Sequence, residues 1–133
     1  MVTVVFACVH NAGRSQIAAG FFNQLVDPNK ACAISAGTNP LDQVHLRVKI
    51  AMSEAGVDLT HECPKKLTSE LAKNADYLIT MGCKEKCPYT PNATIIDWPF
   101  EDPSGKELTD VRIIRDKIKT QVISFLAERI WLS

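Results

Sequence analysis

The chain has 133 residues, 46% hydrophobic and 23% charged, which is typical of one soluble globular domain. Fifteen basic and fifteen acidic side chains cancel, so no overall positive field would hold nucleic acid or an anionic membrane surface. No stretch approaches the roughly 20 apolar residues of a membrane span, and the start of the chain lacks a cleavable apolar segment. We therefore expect a single cytoplasmic domain over residues 1–133, acting as a monomer.

The predicted elements alternate between strands and helices. Residues 3–7 form a continuous apolar and β-branched run, typical of a strand buried on both faces of a parallel sheet. From Ser15 the apolar residues recur at steps of three and four, which predicts a helix that stops at residues 27–29. The remaining predicted elements are a strand at 30–36, helices at 44–55 and 69–74, strands at 76–80 and 94–97, and a helix from 110 to about 132.

This alternation predicts an α/β fold, with a four-stranded parallel sheet flanked by helices on both faces. In such a sheet, ligands bind beyond the carboxyl ends of the strands. The loops that begin at Cys8, after Thr80 and after Asp97 should therefore share one rim. All three loops carry residue types that take part in chemistry.

The first rim loop joins a buried strand to a helix N-terminus, so its successive N–H groups can converge on one tetrahedral oxyanion. Gly13 permits close backbone approach, and the Arg14 guanidinium suits two oxygens of phosphate or arsenate. The same field favours the thiolate of Cys8, which becomes a nucleophile beneath the anion. Asn11 could tie the loop to itself, and Ser15 could donate to the thiolate. The predicted anion-binding residues are Val9, His10, Asn11, Ala12, Gly13, Arg14 and Ser15.

A cysteine and an arginine at this spacing can also be a buried thiol and a surface cation with no common role. The strand before the loop, the helix after it and Ser15 favour the anion site. At these residues the chain resembles the low-molecular-weight protein tyrosine phosphatase family, whose C-x5-R-S loop follows the first strand, and more closely its arsenate reductase branch. The resemblance covers nearly the whole chain and includes Gln16 and residues 35–38, 75–83 and 98–103.

The resemblance implies that Cys8 attacks the oxyanion and that Asp102, which precedes Pro103, protonates the leaving oxygen. Without the Cys8 loop, Asp102 would be read as a turn residue facing water. Tyrosine phosphatases of this family carry aromatic residues just after the Asp-Pro pair. This chain has Ser104 and Gly105 there, which suits a small inorganic anion better than an aryl ester.

Two thiols, Cys83 and Cys87, follow the predicted strand at 76–80, and phosphoester hydrolysis requires neither. Reduction of arsenate requires two electrons, which thiol exchange through mixed disulfides can supply. The resemblance implies that Cys83 attacks the cysteine–arsenic adduct and that Cys87 then relays the disulfide outward. Four residues on a regular helix do not guarantee disulfide geometry, so we expect this segment to unwind on oxidation.

The alternative for this pair is a zinc clip completed by Cys63 or His61, although the usual second pair at short spacing is missing. Cys32 lies in a predicted strand, where a small buried hydrophobe is the default. Cys63 is expected to be exposed and has no assigned role. We therefore expect no metal.

The predicted function is reduction of arsenate to arsenite without a metal or organic cofactor. The predicted catalytic residues are Cys8, Arg14, Asp102, Cys83 and Cys87. Thioredoxin or another thiol donor would reduce the final disulfide, and neither nucleic acid nor membrane is expected as a partner. One alternative is a low-molecular-weight protein tyrosine phosphatase that hydrolyses phosphoesters. Another is a non-catalytic oxyanion-binding or zinc-stabilised regulatory domain.

Overall fold

The computed structural model describes residues 1–83, 86–88 and 91–133. Each predicted strand and helix has a counterpart, and most ends agree to within one or two residues. The elements are β1 (Val2–Cys8), α1 (Arg14–Leu25), β2 (Ala31–Gly37), α2 (Leu46–Glu54), α3 (Ser69–Lys73), β3 (Tyr77–Thr80), β4 (Thr94–Asp97) and α4 (Leu108–Glu128). Within these described residues, no helix is both long and apolar enough to cross a membrane.

The four strands form one parallel sheet in the order β2-β1-β3-β4. Its register aligns the carboxyl ends of the strands. Cys8 pairs with Gly37, and Thr80 pairs with both Ala7 and Asp97. The loops that begin at Cys8, after Thr80 and after Asp97 therefore leave the sheet at one edge, as predicted.

Side chains of β1 alternate between two cores, one on each face of the sheet. Val4 and Phe6 pack with the buried faces of α1, α2 and α4. Val5 and Ala7 pack on the opposite face with Ala72 of α3 and with the segments that flank this helix. The predicted four-stranded parallel sheet with helices on both faces is thus confirmed.

Helix α2 begins at Leu46, and the prediction that it begins at residue 44 was wrong. Val44 is buried in the core, and His45 has an extended backbone with ψ 135°. The His45 N–H donates to the carbonyl of Ala12 at 3.0 Å. Residues 44 and 45 therefore line the Cys8 loop instead of forming a helical turn.

Helix α4 ends at Glu128, earlier than the predicted end near residue 132. Ile130 has a left-handed backbone with φ 59°, which turns the chain out of the helix. The carbonyl of Trp131 accepts from Asp27 N–H at 2.7 Å, and Leu132 forms a bridge with Val26. The apolar period continues to the end of the chain because Trp131 packs against the core.

Candidate active site

Hydrogen bonds from a neighbouring segment to its carbonyl oxygens hold the loop between β1 and α1 in place. Backbone N–H groups of the segment 38–45 donate to four of these carbonyls at 2.8–3.1 Å. In a trans peptide the N–H of the next residue points the opposite way from the carbonyl. The donor–acceptor pairs are Thr38 to Cys8, Asn39 to Val9, Leu41 to His10 and His45 to Ala12. The N–H groups of Val9, His10, Asn11 and Gly13 therefore face the concave side, as an oxyanion cradle requires.

Asn11 is the internal tie of the loop, as the sequence predicted. It is fully buried and has a left-handed backbone with φ 50°. Its Nδ2 donates to Ser15 Oγ at 2.6 Å, and its Oδ1 accepts from Lys65 N at 3.0 Å. Gln16 Nε2 reaches both Asn11 O and Asn11 Oδ1, at 3.1 and 3.2 Å. Both the nitrogen and the oxygen of this buried side-chain amide thus help to fix the loop.

Cys8 lies at the base of this loop, and the residue is 2% exposed. Its Sγ is 2.8 Å from Ser15 Oγ, and the Asn11 N–H donates to it at 3.3 Å. Ser15 Oγ accepts a hydrogen bond from Asn11, and its own hydroxyl proton is available to the sulfur. The Ser15 hydroxyl and the Asn11 N–H thus both lie within hydrogen-bond distance of Cys8 Sγ.

Arg14 is the first residue of α1, and its side chain is 12% exposed. Nη1 donates to the carbonyl of Phe100 at 3.2 Å, and Nη2 lies 3.7 Å from Asp102 Oδ2. These contacts place the guanidinium between the Cys8 loop and the loop after β4. The predicted anion ligand and the predicted general acid are therefore brought together.

The Asp102 side chain is half-exposed and takes part in a local turn. Its Oδ1 accepts from Ser104 N at 3.0 Å, which leaves Oδ2 toward Arg14. The following Pro103 packs against Gly13, where an added Cβ would lie only 2.8 Å from Pro103 Cγ. A side chain at position 13 would therefore push the acid loop off the anion loop.

Cys83 and Cys87 form a thiol pair on the third rim loop, with their sulfurs 3.2 Å apart. Cys83 is 3% exposed and packs in the core on the α3 face, whereas Cys87 is half-buried. The Cys87 sulfur also lies 3.1 Å from the carbonyl of Cys83, to which its S–H can donate. Lys84 and Glu85 lie outside the described residues, so the expected unwinding of this segment stays a prediction.

The contact between the two thiols shifts their pKa values in opposite directions. The hydrogen bond with Cys87, reinforced by burial, raises the pKa of Cys83. The same bond lowers the pKa of Cys87, against the effects of burial and of the Asp97 carboxylate. Cys83 thus keeps its proton at rest, and Cys87 is the more readily ionised thiol.

The other predicted residue types lie elsewhere. Cys63 is exposed as expected, whereas Cys32 is only half-buried and not the fully buried hydrophobe predicted from its strand. In the described part of the chain, no three His, Cys, Asp or Glu side chains converge as a metal site. Sequence reasoning missed the carbonyl of Phe100, and it missed that Gln16 holds Asn11 and that Gly82 touches Arg14. Gly82 has a positive φ and lies two residues after the end of β3, so a glycine just beyond a strand was the available signal.

Comparison with known proteins agrees with this geometry. The family described as low molecular weight phosphotyrosine protein phosphatase matches residues 3–130. Arsenate reductase 1 of Staphylococcus epidermidis is 32% identical over 127 residues, which cover 92% of this chain and 94% of that protein.

Solved structures are similar as well. The thioredoxin-dependent arsenate reductase of Corynebacterium glutamicum is 33% identical, with a TM-score of 0.82 over 96% of this chain. The match spans 61% of that longer chain. An arsenate reductase in the phosphate binding state is 28% identical, with a TM-score of 0.81 over 96% of this chain and 98% of its own. The predicted resemblance to the arsenate reductase branch is confirmed, and the chain belongs to the low molecular weight phosphotyrosine protein phosphatase family.

Proposed function

We propose that this chain reduces arsenate to arsenite with electrons from its own thiols. One observation carries the proposal: a nucleophilic cysteine in an oxyanion loop shares a rim with a thiol pair whose sulfurs are 3.2 Å apart. An oxyanion loop alone fits either phosphoester hydrolysis or arsenate reduction. The added thiol pair favours reduction, because two-electron exchange requires further thiols and hydrolysis does not.

In the first step, Cys8 attacks arsenate held by the loop N–H groups and by Arg14. The sulfur–arsenic bond forms as one arsenic–oxygen bond breaks. Asp102, 3.7 Å from the Arg14 guanidinium, supplies the proton with which that oxygen leaves as water. Fixed donors at the base of the loop favour this step because they are already oriented before charge develops.

In the second step, Cys83 attacks the sulfur of Cys8. The new disulfide forms as the sulfur–arsenic bond breaks. The electron pair of that bond stays on arsenic, and the proton that Cys83 gives up passes to an arsenic-bound oxygen, so the product leaves as arsenite. Arsenic is reduced by two electrons and the two thiols are oxidised. The position of Cys83 supports this role, since Met81 N–H donates to the carbonyl of Ala7 at 2.7 Å and ties its loop to the end of β1.

In the third step, Cys87 attacks Cys83, which forms the Cys83–Cys87 disulfide and returns Cys8 as a thiolate. The 3.2 Å contact between these sulfurs in the reduced chain supports this exchange, since only a small approach is needed to form the bond. An external dithiol then reduces the pair. Thioredoxin is the donor we propose, because the similar C. glutamicum enzyme is thioredoxin-dependent.

The alternative, phosphoester hydrolysis by Cys8, Arg14 and Asp102, uses the same loop. Ser104 and Gly105 follow the Asp-Pro pair, so this position offers no aromatic platform for an aryl ester. Phosphoester hydrolysis also gives Cys83 and Cys87 no role in the reaction. Arsenate reduction accounts for all of these residues together.

The test is a steady-state assay of arsenite formation with thioredoxin, glutaredoxin and glutathione as alternative reductants. We expect turnover with thioredoxin that is lost in Cys8→Ser, because a serine hydroxyl gives almost no anionic nucleophile near neutral pH. Cys32→Ser is the matched control, since Cys32 lies in β2 at the opposite end of the strand from the rim. Rapid hydrolysis of phosphoesters by a wild type that ignores arsenate would replace the proposal with the phosphatase alternative.

A further inference from the structure

Gly82 lies in the loop after β3 that carries Cys83 and Cys87, which we call the thiol loop, and it lies beside Arg14 of the anion site. It follows Met81, whose N–H is bonded to the end of β1, and it has a left-handed backbone with φ 95°. Residues with a side chain adopt this conformation only at a cost in free energy, whereas glycine adopts it readily. The conformation turns the chain so that the backbone of residue 82 lies against the side chain of Arg14.

The contact between Gly82 and Arg14 leaves no room for a side chain. A Cβ on Gly82 would lie 3.1 Å from Arg14 Cζ and 3.3 Å from Nη2, and it would come closer still to Nη1. On its other side the guanidinium is held by the Phe100 carbonyl and by Asp102, at 3.2 and 3.7 Å. Arg14 could therefore not move away from a new side chain without giving up those contacts.

We propose that Gly82 is a positioning residue for Arg14: its bare backbone lets the guanidinium lie between the thiol loop and the acid loop, oriented toward the oxyanion. The inference deepens the proposed function, on which its relevance to arsenate rests. It also connects the two halves of the reaction, because Gly82 immediately precedes Cys83. A side chain at position 82 would thus disturb both the anion ligand Arg14 and the start of the relay segment.

This role differs from that of an ordinary turn glycine. If Gly82 served only the turn that leads to Cys83, its replacement would slow the relay and leave the binding of anions at the Cys8 loop unchanged. If it positions Arg14, anion binding must weaken even when no thiol is oxidised. Binding of inorganic phosphate separates these two cases, because it involves no electron transfer.

The first experiment is calorimetric titration of inorganic phosphate into reduced Gly82→Ala and wild type. We expect Gly82→Ala to bind phosphate about 10- to 100-fold more weakly than wild type, because this is the cost of losing about one hydrogen bond to a charged group. Gly56→Ala is the matched control, because Gly56 also has a left-handed φ of 83° but an added Cβ meets only the flexible end of Gln24, at 3.3 Å. Equal phosphate affinity in Gly82→Ala and wild type would overturn the proposal.

The second experiment separates a direct clash from general strain by thermal unfolding of a double-mutant cycle. Gly82→Ala should lower the Tm more than Gly56→Ala does. In an Arg14→Ala background the Gly82→Ala shift should shrink to that of Gly56→Ala, because the added methyl group then has space. Additive Tm shifts would show that Gly82 does not act on Arg14 and would overturn the inference.

Neither readout depends on arsenate reduction. If wild type forms no arsenite while the Tm cycle shows coupling, the proposed function fails and the positioning role stands. If wild type reduces arsenate while the Tm shifts add, the positioning role fails and the proposed function stands.

Discussion

At the scale of single residues, a chain of hydrogen bonds connects Asn11, Ser15 and Cys8. Ser15 Oγ lies between Asn11 Nδ2, at 2.6 Å, and Cys8 Sγ, at 2.8 Å. An amide nitrogen can only donate, so the hydroxyl oxygen accepts from Asn11, and its own proton is available for a hydrogen bond to the sulfur. Asn11 therefore orients Ser15 as well as the backbone. Its two neighbours Gln16 and Lys65 hold it in turn, at 3.1–3.2 and 3.0 Å.

Three carboxylates of the described residues lie at the end of β4 and in the loop after it, and their contacts distinguish them. Glu101 pairs with Lys106 at 2.7 Å, which lowers the pKa of Glu101 and holds it as an anion. Asp97 accepts from the buried Thr80 hydroxyl at 2.7 Å. Asp102 is the carboxylate that reaches Arg14. Of these three carboxylates, Asp102 is the one placed beside the predicted anion ligand, which is the position that the proposed general acid requires.

Asp102→Asn should slow formation of the cysteine–arsenic adduct by about 10²- to 10⁴-fold, because an amide cannot supply a proton to the leaving oxygen. The fold and the binding of phosphate should be retained, since Asp102 is half-exposed. Rapid-quench measurement of the first turnover tests the step directly. Glu101→Gln is the control and should keep a near-normal rate. If Glu101→Gln slowed adduct formation and Asp102→Asn did not, Glu101 would be the general acid instead.

At the scale of elements, hydrophobic period and length were enough to predict the order of strands and helices. Strand β4 has the predicted bounds, because its β-branched run is flanked by turn residues. The end of α4 could not be predicted in this way. Trp131 and Leu132 continue the apolar pattern, but they pair with the segment at Val26 and Asp27, more than 100 positions earlier in the chain.

The candidate site was predictable where it depends on one contiguous segment. The Cys8 loop combines a strand, a glycine, an arginine and a helix start within eight residues, so its chemistry can be read locally. The contacts of Arg14 with Phe100 and Gly82 depend on how three loops from different strands meet. Such contacts follow from sheet order and register, which a single sequence does not specify.

The two thiols of the third loop should differ in reactivity with pH. The pKa of Cys83 is raised and that of Cys87 lowered, so Cys87 should be alkylated first by iodoacetamide near neutral pH. Alkylation of Cys83 should become appreciable only as the pH rises further. In Cys87→Ala the largest cause of the shift is removed, so Cys83 should react at lower pH than in wild type. Peptide mass spectrometry of reduced protein measures both sites, and faster labelling of Cys83 in wild type would contradict the assignment.

The proposed order of thiol exchange predicts the step at which catalysis should halt in each cysteine variant. Cys87→Ser should release about one arsenite per enzyme and accumulate the Cys8–Cys83 disulfide, because no internal thiol remains to resolve it. Cys83→Ser should form the adduct at Cys8 but release no arsenite. Peptide mapping after a stoichiometric arsenate pulse identifies the bond formed. Cys63→Ser, at an exposed position, is the control and should turn over repeatedly. Many cycles of reduction by both relay variants would reject the relay.

Across the whole molecule, parallel strand order brings distant segments to one rim and ties that rim to the core beneath it. Trp98 follows β4, is 5% exposed, and packs on Phe6 of β1 with ring centroids 5.5 Å apart. Phe125 of α4 contacts both Trp98 and Trp131, at 5.8 and 5.9 Å between centroids. One aromatic cluster therefore links the acid loop to the C-terminal segment.

This linkage predicts that the chain unfolds as one unit. Urea unfolding should give the same midpoint by circular dichroism, which reports all helices, and by tryptophan fluorescence, which reports Trp98 and Trp131. A Trp131→Phe variant leaves Trp98 as the only tryptophan, so its fluorescence follows the rim alone. Its two probes should still coincide, because Phe125 couples the rim to α4. A fluorescence midpoint clearly below that of circular dichroism in this variant would show that the rim opens before the core and would contradict unfolding as one unit.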